Sequence, residues 1–444
     1  MRPLLLLCAL VLLPGLAQAE RLLHATPDSY RDMLRSLRPG DTLVLAAGEY
    51  LQGLPLRSLH GSAAQPIVIT GPENGPPAIL VGREGQITVS LIDVNHLAIR
   101  NLHLEGRGLR GHGIVAEGRG GRPSHHITLE HLHISGFNAS QAFNGISTKT
   151  PAWNWVIRGN TLRDLGTGLY LGNSDGQAPF IGGLIEGNRI ERTLGYNMQI
   201  KHQQPRPALP GLPEQPNHTT IRYNLFDKRE GSAAGPQARP NLLLGHWPLQ
   251  GPGQDDRYLV YGNLFIGHPH ERLLQGEGRI AAYANLFFNP VGEGVSFQPH
   301  NALPRDIHFS HNTVLARGRG VRISGAPEDA VLHFAHNLVF AATQSPLPGE
   351  GNHLAHIDTA ADMLIAPDKA LAQLDLSPRA PLPSAATPAA PAVPALPDSN
   401  LDFNARPRSN GQAGAYGHSG PTPGPLHLLR HHAHACGPCA ASPN

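Results

Sequence analysis

One six-residue pattern limits what this chain can fold into. An apolar residue, two further residues, Asn, any residue and a second apolar residue recur as IRGNTL, IEGNRI, IRYNLF, VYGNLF, AYANLF, FSHNTV and FAHNLV. The asparagines are Asn160, Asn188, Asn224, Asn263, Asn285, Asn312 and Asn337. IRNLHL at Asn101 and LEHLHI at His131 read as earlier members with one residue fewer before the turn. Strand-like segments lie between them: GIVAE, GISTK, GLYLG, NMQIK, NLLLG, GVSFQ and GVRIS. A unit of two or three short strands without a helix cannot bury its own apolar face, whereas stacked copies can. Parallel strands joined by tight bends then predict an all-β, single-stranded right-handed parallel β-helix, a solenoid with one rung per repeat. Asn suits the bend because it tolerates left-handed backbone and its amide can bond to the copy above or below. A propeller or a sandwich requires four-stranded units or hairpin turns, which the sequence lacks.

The ends complete this picture. Thr26-Pro27 opens a helical spacing to Leu37 that predicts a cap over the first rung, protecting its edge from pairing. The β-helix domain is expected over residues 20–417. Its rungs run from about residue 65 to about 345, and a closing segment, 346–417, includes the Ala/Pro-rich connector Ala385–Pro397. Residues 1–19 read as a cleaved export signal: Arg2, an apolar run from Leu4 to Leu16, then Ala17-Gln18-Ala19. A periplasmic or secreted protein with no membrane span is expected. Only Cys436 and Cys439 follow the signal, so no disulfide framework is expected and a core must supply the stability. Residues 418–444 read as a disordered His/Cys tail. Its CGPC lacks the βαβ setting that redox chemistry needs, and His431, His434, Cys436 and Cys439 form an incidental soft-metal set. A net charge of +2 without a concentrated basic surface argues against a nucleic-acid partner.

Two stretches carry a family resemblance. PGDTLVLAAGEY (Pro39–Tyr50), followed by AAQPIVITGPENGPPAIL, resembles the opening of pectate-lyase-like β-helix proteins, particularly the alginate lyase and chondroitinase B polysaccharide lyases. DFNARPRSNGQAGAY (Asp402–Tyr416) is similar to the closing segment of many of them. The resemblance implies the fold over residues 27–417 and a polysaccharide substrate. It does not extend to the catalytic pair, a Lys in an Asn-Lys-Ser step and an Arg in a Leu-Arg-His-Gly step. The matching strands read LLLGHW and RLLQGEG, which put His246 and Gln275 near those places.

Period-two alternation in the second strand of each rung turns Ile114, Ile146, Leu169, Met198, Leu242, Val295 and Val321 inward. One outward column then holds Val115, Ser147, Tyr170, Gln199, Leu243, Ser296 and Arg322. The next holds Glu117, Lys149, Gly172, Lys201, Gly245, Gln298 and Ser324, with RLLQGEG readable in either register. Gly172 and Gly245 are expected to leave open space around Lys201. Asn173, His202 and His246 align one position further on, with Trp247 beside them and His300 past a later strand. The asparagine spacings are 28, 36, 39, 22, 27 and 25 residues; the two long ones carry the loops after His202, Glu230–Pro240 and Pro248–Asp256. Long loops on a solenoid usually build its binding site.

A groove of this composition suits an acidic, uronate-containing polysaccharide, handled by a monomer. β-Elimination needs a base, a cation facing the carboxylate and an acid for the leaving oxygen. Lys201, His202, His246 and Tyr170 are the catalytic candidates. Lys149, Asn173, Gln199, Trp247, Gln298, His300 and Arg322 are the substrate-binding ones. Each also has an ordinary reading as a solvated strand or turn residue. Trp153 and Trp155 fit either a sugar platform or rung-edge packing. No cofactor is required and no metal ligand is assigned; Asp255-Asp256 is the one Ca²⁺ candidate. A lyase or epimerase, a non-catalytic polysaccharide-binding protein and a glycoside hydrolase all stay open.

Overall fold

A computed structural model of the chain describes residues 20–118, 122–382, 396–408, 412–422 and 424–425. The expected export signal at residues 1–19, most of the Ala/Pro connector and the His431–Cys439 cluster lie outside the described residues.

The fold is a right-handed parallel β-helix with three strands per rung. Strands preceding the asparagine turn stack in one ladder from Leu22–Ala25 to Leu332–Ala335. Those following the turn form a second, from Gly48–Tyr50 to His353–Ala355. The third ladder runs from Leu54–His60 to Val321–Ile323. The strand Gln86–Arg100 passes unbroken from the third ladder into the first and merges the two into one sheet. Rungs begin near Leu22, well before residue 65, because the first coils use other turns in place of the asparagine one.

At that turn, two physical roles are divided between neighbours. The left-handed residue is the one before each asparagine: Gly159, Gly187, Tyr223, Gly262, Ala284, His311 and His336 all have φ between 52° and 64°. The asparagines themselves do not need the left-handed region. Their side chains form a buried column instead. Asn263 Oδ1 accepts from Asn224 N at 3.0 Å and Asn224 Nδ2 at 2.9 Å, and Asn263 Nδ2 donates to Asn285 Oδ1 at 3.0 Å. The same step repeats from Asn160 to Asn337 and continues to Asn352, which the sequence pattern missed. Asn101 and His131, at φ 55° and 53°, occupy the left-handed position, so Leu102 and Leu132 fill the asparagine slot. Those turns are therefore of full length, not one residue shorter. Inside, Phe226, Phe265 and Phe287 stack at 4.8 and 4.7 Å, continuing a core of rung-facing aliphatic residues.

The helix Tyr30–Leu34 covers the first coil, with Tyr30 donating to the Gly53 carbonyl at 2.8 Å. The closing segment buries Phe403, Ala415 and Tyr416 against the outer face of the second ladder, over Leu264, Leu286 and Leu338. Tyr283 Oη donates to the Pro397 carbonyl at 2.6 Å, anchoring the end of the connector on the first ladder. Residues 418–422, expected in the disordered tail, are tied to the Asp375–Pro378 strand through Ser377 Oγ to Gly420 O and Thr422 N to Asp375. Two of the three outer faces are thus partly covered, and the third carries the side chains of interest.

Candidate functional site

The third ladder has the predicted register. Ile146, Leu169, Met198, Leu242, Val295 and Val321 are buried, and Tyr170, Gln199, Leu243, Ser296 and Arg322 pair rung to rung on the other side. The unsettled rung is fixed: Leu274 pairs with Leu242 and Gln275 with Leu243. Glu277 then falls next to Gly245, donating its N–H to the Leu244 carbonyl at 3.2 Å. Along the solenoid axis the column reads Lys149, Gly172, Lys201, Gly245, Glu277, Gln298. Rungs are about 4.8 Å apart, so Lys149, Lys201 and Glu277 are each separated from the next by roughly 9.6 Å of backbone with a glycine between, whereas Glu117 stands one rung before Lys149 with no glycine between them.

Those glycines are required for different reasons. Gly172 has φ +85°, a region most side chains avoid. A Cβ on Gly245 would come within 2.3 Å of the His202 N and 2.7 Å of the Lys201 C, so the glycine admits the neighbouring backbone rather than opening space for an ammonium. With both rungs bare, the long lysine side chains lie along the axis. The Lys149 Nζ sits over the Tyr170 ring at 3.5 Å and Lys201 Nζ faces the same ring at 5.8 Å.

Burial controls the electrostatics. It pulls Lys149 down to about 8, and Lys201 adds repulsion in the same direction. Contact with the ring face favours the ammonium and works against that shift. Burial also lowers Lys201, opposed by the Glu277 charge. Burial raises the Tyr170 phenol, keeping it protonated at neutral pH. Glu277 is fully buried and accepts backbone N–H bonds from Asn301 at 2.8 Å, Ala302 at 3.1 Å and His246 at 3.3 Å. It therefore fixes the loop after Gln298 and the start of the loop after Gly245. The sequence reading missed it because the register of RLLQGEG was open.

Insertions wall both edges. The loop after His202 is bonded to its neighbours by Gln203 N to His246 O and Gln204 N to Gly176 O. A buried ion pair of Arg206 with Asp256 holds this loop to the next one, and Asp256 also accepts from Asn217 N at 2.8 Å. That carboxylate is committed to protein, so the Asp255-Asp256 pair does not offer the converging oxygens that Ca²⁺ needs. At the opposite edge the Glu230–Pro240 loop covers Lys228, whose ammonium donates to the Thr193 and Gly195 carbonyls.

The other candidates divide. His202 and His246 stack at 5.5 Å; burial and the His246 charge lower His202, and its buried Nδ1 has no partner. Gln298 accepts from Ser296 Oγ at 2.8 Å, His300 is exposed, and Arg322 is half-buried in the Tyr170 column. Asn173 caps its own turn through Ser174 N. Gln199 faces the groove but is only 3 % exposed. Trp247 does not belong to the site: it is buried and stacked on the interior Tyr258 at 4.4 Å, because the strand bends inward after His246. Trp153 and Trp155 are also fully buried. Beyond Lys149 the groove deepens into a hollow of about 350 Å³ lined by Ile87, His112, Glu117, Asn144 and the unpartnered Ser147 hydroxyl.

No family model and no curated protein matches the chain. Among solved structures it is similar to an alginate lyase from Paenibacillus sp. str. FPU-7 (TM-score 0.45, 18% identity, 76% of this chain and 97% of that one). It is also similar to the GH136 lacto-N-biosidase from Eubacterium ramulus (0.44, 13%, 76% and 68%) and to pectate lyase Pel9A (0.44, 11%, 92% and 96%). At such identities and TM-scores none of these carries chemistry over to this chain.

Proposed function

We propose that the chain is an exported, monomeric enzyme acting on a uronate-containing polysaccharide by β-elimination or, if the same carbanion is reprotonated from the other face, by epimerisation. The observation that carries this reading is the pair of half-buried lysines converging on one tyrosine ring in a walled groove. We assign the base to Lys149, whose amine burial brings down to about 8. It takes the proton alpha to the carboxylate. Lys201, which Glu277 holds toward the cationic form, faces the carboxylate as negative charge develops. Tyr170 gives its proton to the departing glycosidic oxygen, leaving an unsaturated uronate. Arg322 and Gln298 bind further along the chain, and the hollow past Lys149 receives one sugar residue. Lys201, His202 and His246 are the sequence candidates for the base; in this reading Lys201 supplies the cation, and the two histidines line the wall.

Incubation with a panel of polyuronates and glycosaminoglycans should release products absorbing as unsaturated uronates. Binding without product from any polymer would replace the enzyme with a polysaccharide-binding protein. New reducing ends without unsaturation would replace the lyase with a hydrolase.

A further inference from the structure

At the corner where the third ladder turns into the first, three imidazoles meet. His125 Nδ1 and His126 Nδ1 are 2.7 Å apart, and the His96 ring stacks on His126 at 4.3 Å. One ring nitrogen from each lies within 4.8 Å of the other two. Other histidine contacts, His103 with His133 and His311 with His336, bring only two rings together. Among the described residues this is the one such group of three.

We propose that His96, His125 and His126 bind a borderline divalent transition-metal ion, of which Zn²⁺ is the representative. Three imidazoles and an open position are a common ligand set for such ions, while Ca²⁺ and Mg²⁺ require oxygen ligands. A tetrahedral ion with Zn–N bonds of about 2.0–2.1 Å holds its nitrogens roughly 3.3–3.4 Å apart. The 2.7 Å pair needs to open by only about 0.6 Å, and the third nitrogen to close. Outer partners orient the rings. His96 Nδ1 donates to Asn95 Oδ1 at 3.1 Å, freeing Nε2. The Asn154 amide lies 3.0 Å from His126 Nε2, and turned to present Oδ1 it accepts the Nε2 proton and frees Nδ1 for the ion. The ion would pin adjacent rungs beside the groove wall. His125 stacks on Trp153 at 4.2 Å, and Trp153 packs under Leu209 and Leu212 of the proline-rich loop.

The test is Zn²⁺ titration of the chelator-stripped full chain, by calorimetry and by competition with a chromophoric chelator. The tail's own ligands are removed in a parallel chain carrying His431→Ala, His434→Ala, Cys436→Ser and Cys439→Ser. His126→Asn is the informative variant, because Asn154 occupies the same register position one rung on with φ 55° against 53° for His126. His96→Gln is the second. One equivalent bound in both parental chains, weakened roughly tenfold or more in either variant at unchanged metal-free melting, is the expected result. Binding that disappears with the tail substitutions, or persists unchanged in both variants, overturns the site.

Discussion

Asn263 lies mid-column, where its replacement separates two explanations of the asparagine repeat. If the residue is there for its shape, Asn263→Asp should be nearly silent, since the side chains are isosteric. If hydrogen-bond polarity matters, Asp is the worse substitution. Its second oxygen would face the Ile221 carbonyl and Asn285 Oδ1, to which Asn263 Nδ2 now donates at 2.8 and 3.0 Å. Asn263→Ala removes the acceptor of Asn224 N and the donor to Ile221 O. A buried polar group left unpaired costs about 1–3 kcal/mol, so these two sum to about 2–6 kcal/mol before any cavity term. Asp adds the desolvation of a charge at a position that is 0 % exposed, and should cost more than Ala. Urea unfolding followed by far-UV circular dichroism measures both, with constancy of the slope checking that a long solenoid still unfolds as one unit. An Asp variant within about 0.5 kcal/mol of wild type would refute the polarity argument.

Three further outcomes follow from groups in and around the groove. Turnover should rise with pH through about 8 as Lys149 loses its proton, and Lys149→Arg, which cannot deprotonate, should bind polymer but not process it; full activity in that variant moves the base elsewhere. Lys228 is held down to about 7 by burial, so between pH 7 and its ordinary 10.5 the unfolded chain binds the extra proton and stability rises with pH. Lys228→Met should flatten that rise in a urea-midpoint series from pH 7 to 9, and an unchanged slope counts against the assignment. Asp256→Ala strands the buried Arg206 and should cost about 3–5 kcal/mol. Limited proteolysis should then cut within residues 203–217 first; resistance equal to wild type would show that the ion pair does not hold the wall.

The solenoid was legible because its cause is repeated. Seven asparagines at one turn, and apolar residues at alternate positions, fix both the rung and the inward face, and Met198 and Leu242 fall where the alternation puts them. Reading the left-handed turn onto the asparagine itself failed because two adjacent residues share the job, and Tyr223 or Ala284 gives no compositional hint of a positive φ. Lys149, Tyr170 and Lys201 could be placed in their columns, but their convergence on one ring depends on side-chain direction, which spacing does not encode. Trp247 was lost for a related reason: alternation ends at Gly245, and whether the chain then turns in or out depends on packing against Tyr258, on the next strand of the same rung. The three histidines come from two rungs and have no local motif.

The asparagine column also has a direction. At every step the N–H and amide NH₂ of an earlier coil donate to the Oδ1 of a later one, from Asn160 to Asn352. A chain assembling from its N-terminal end therefore always presents unmet donors at its advancing tip, and each new coil quenches the one before. The trailing end has no such appetite: Asn160 Oδ1 is already taken by Leu132 N at 2.9 Å, and leucines occupy the slot before it. The aligned amides add as dipoles along the axis, much as peptide units do in a helix. Growth by stacking is thus polarised, and runaway addition of a second molecule is favoured at one tip only, the tip where Asn352 ends the column.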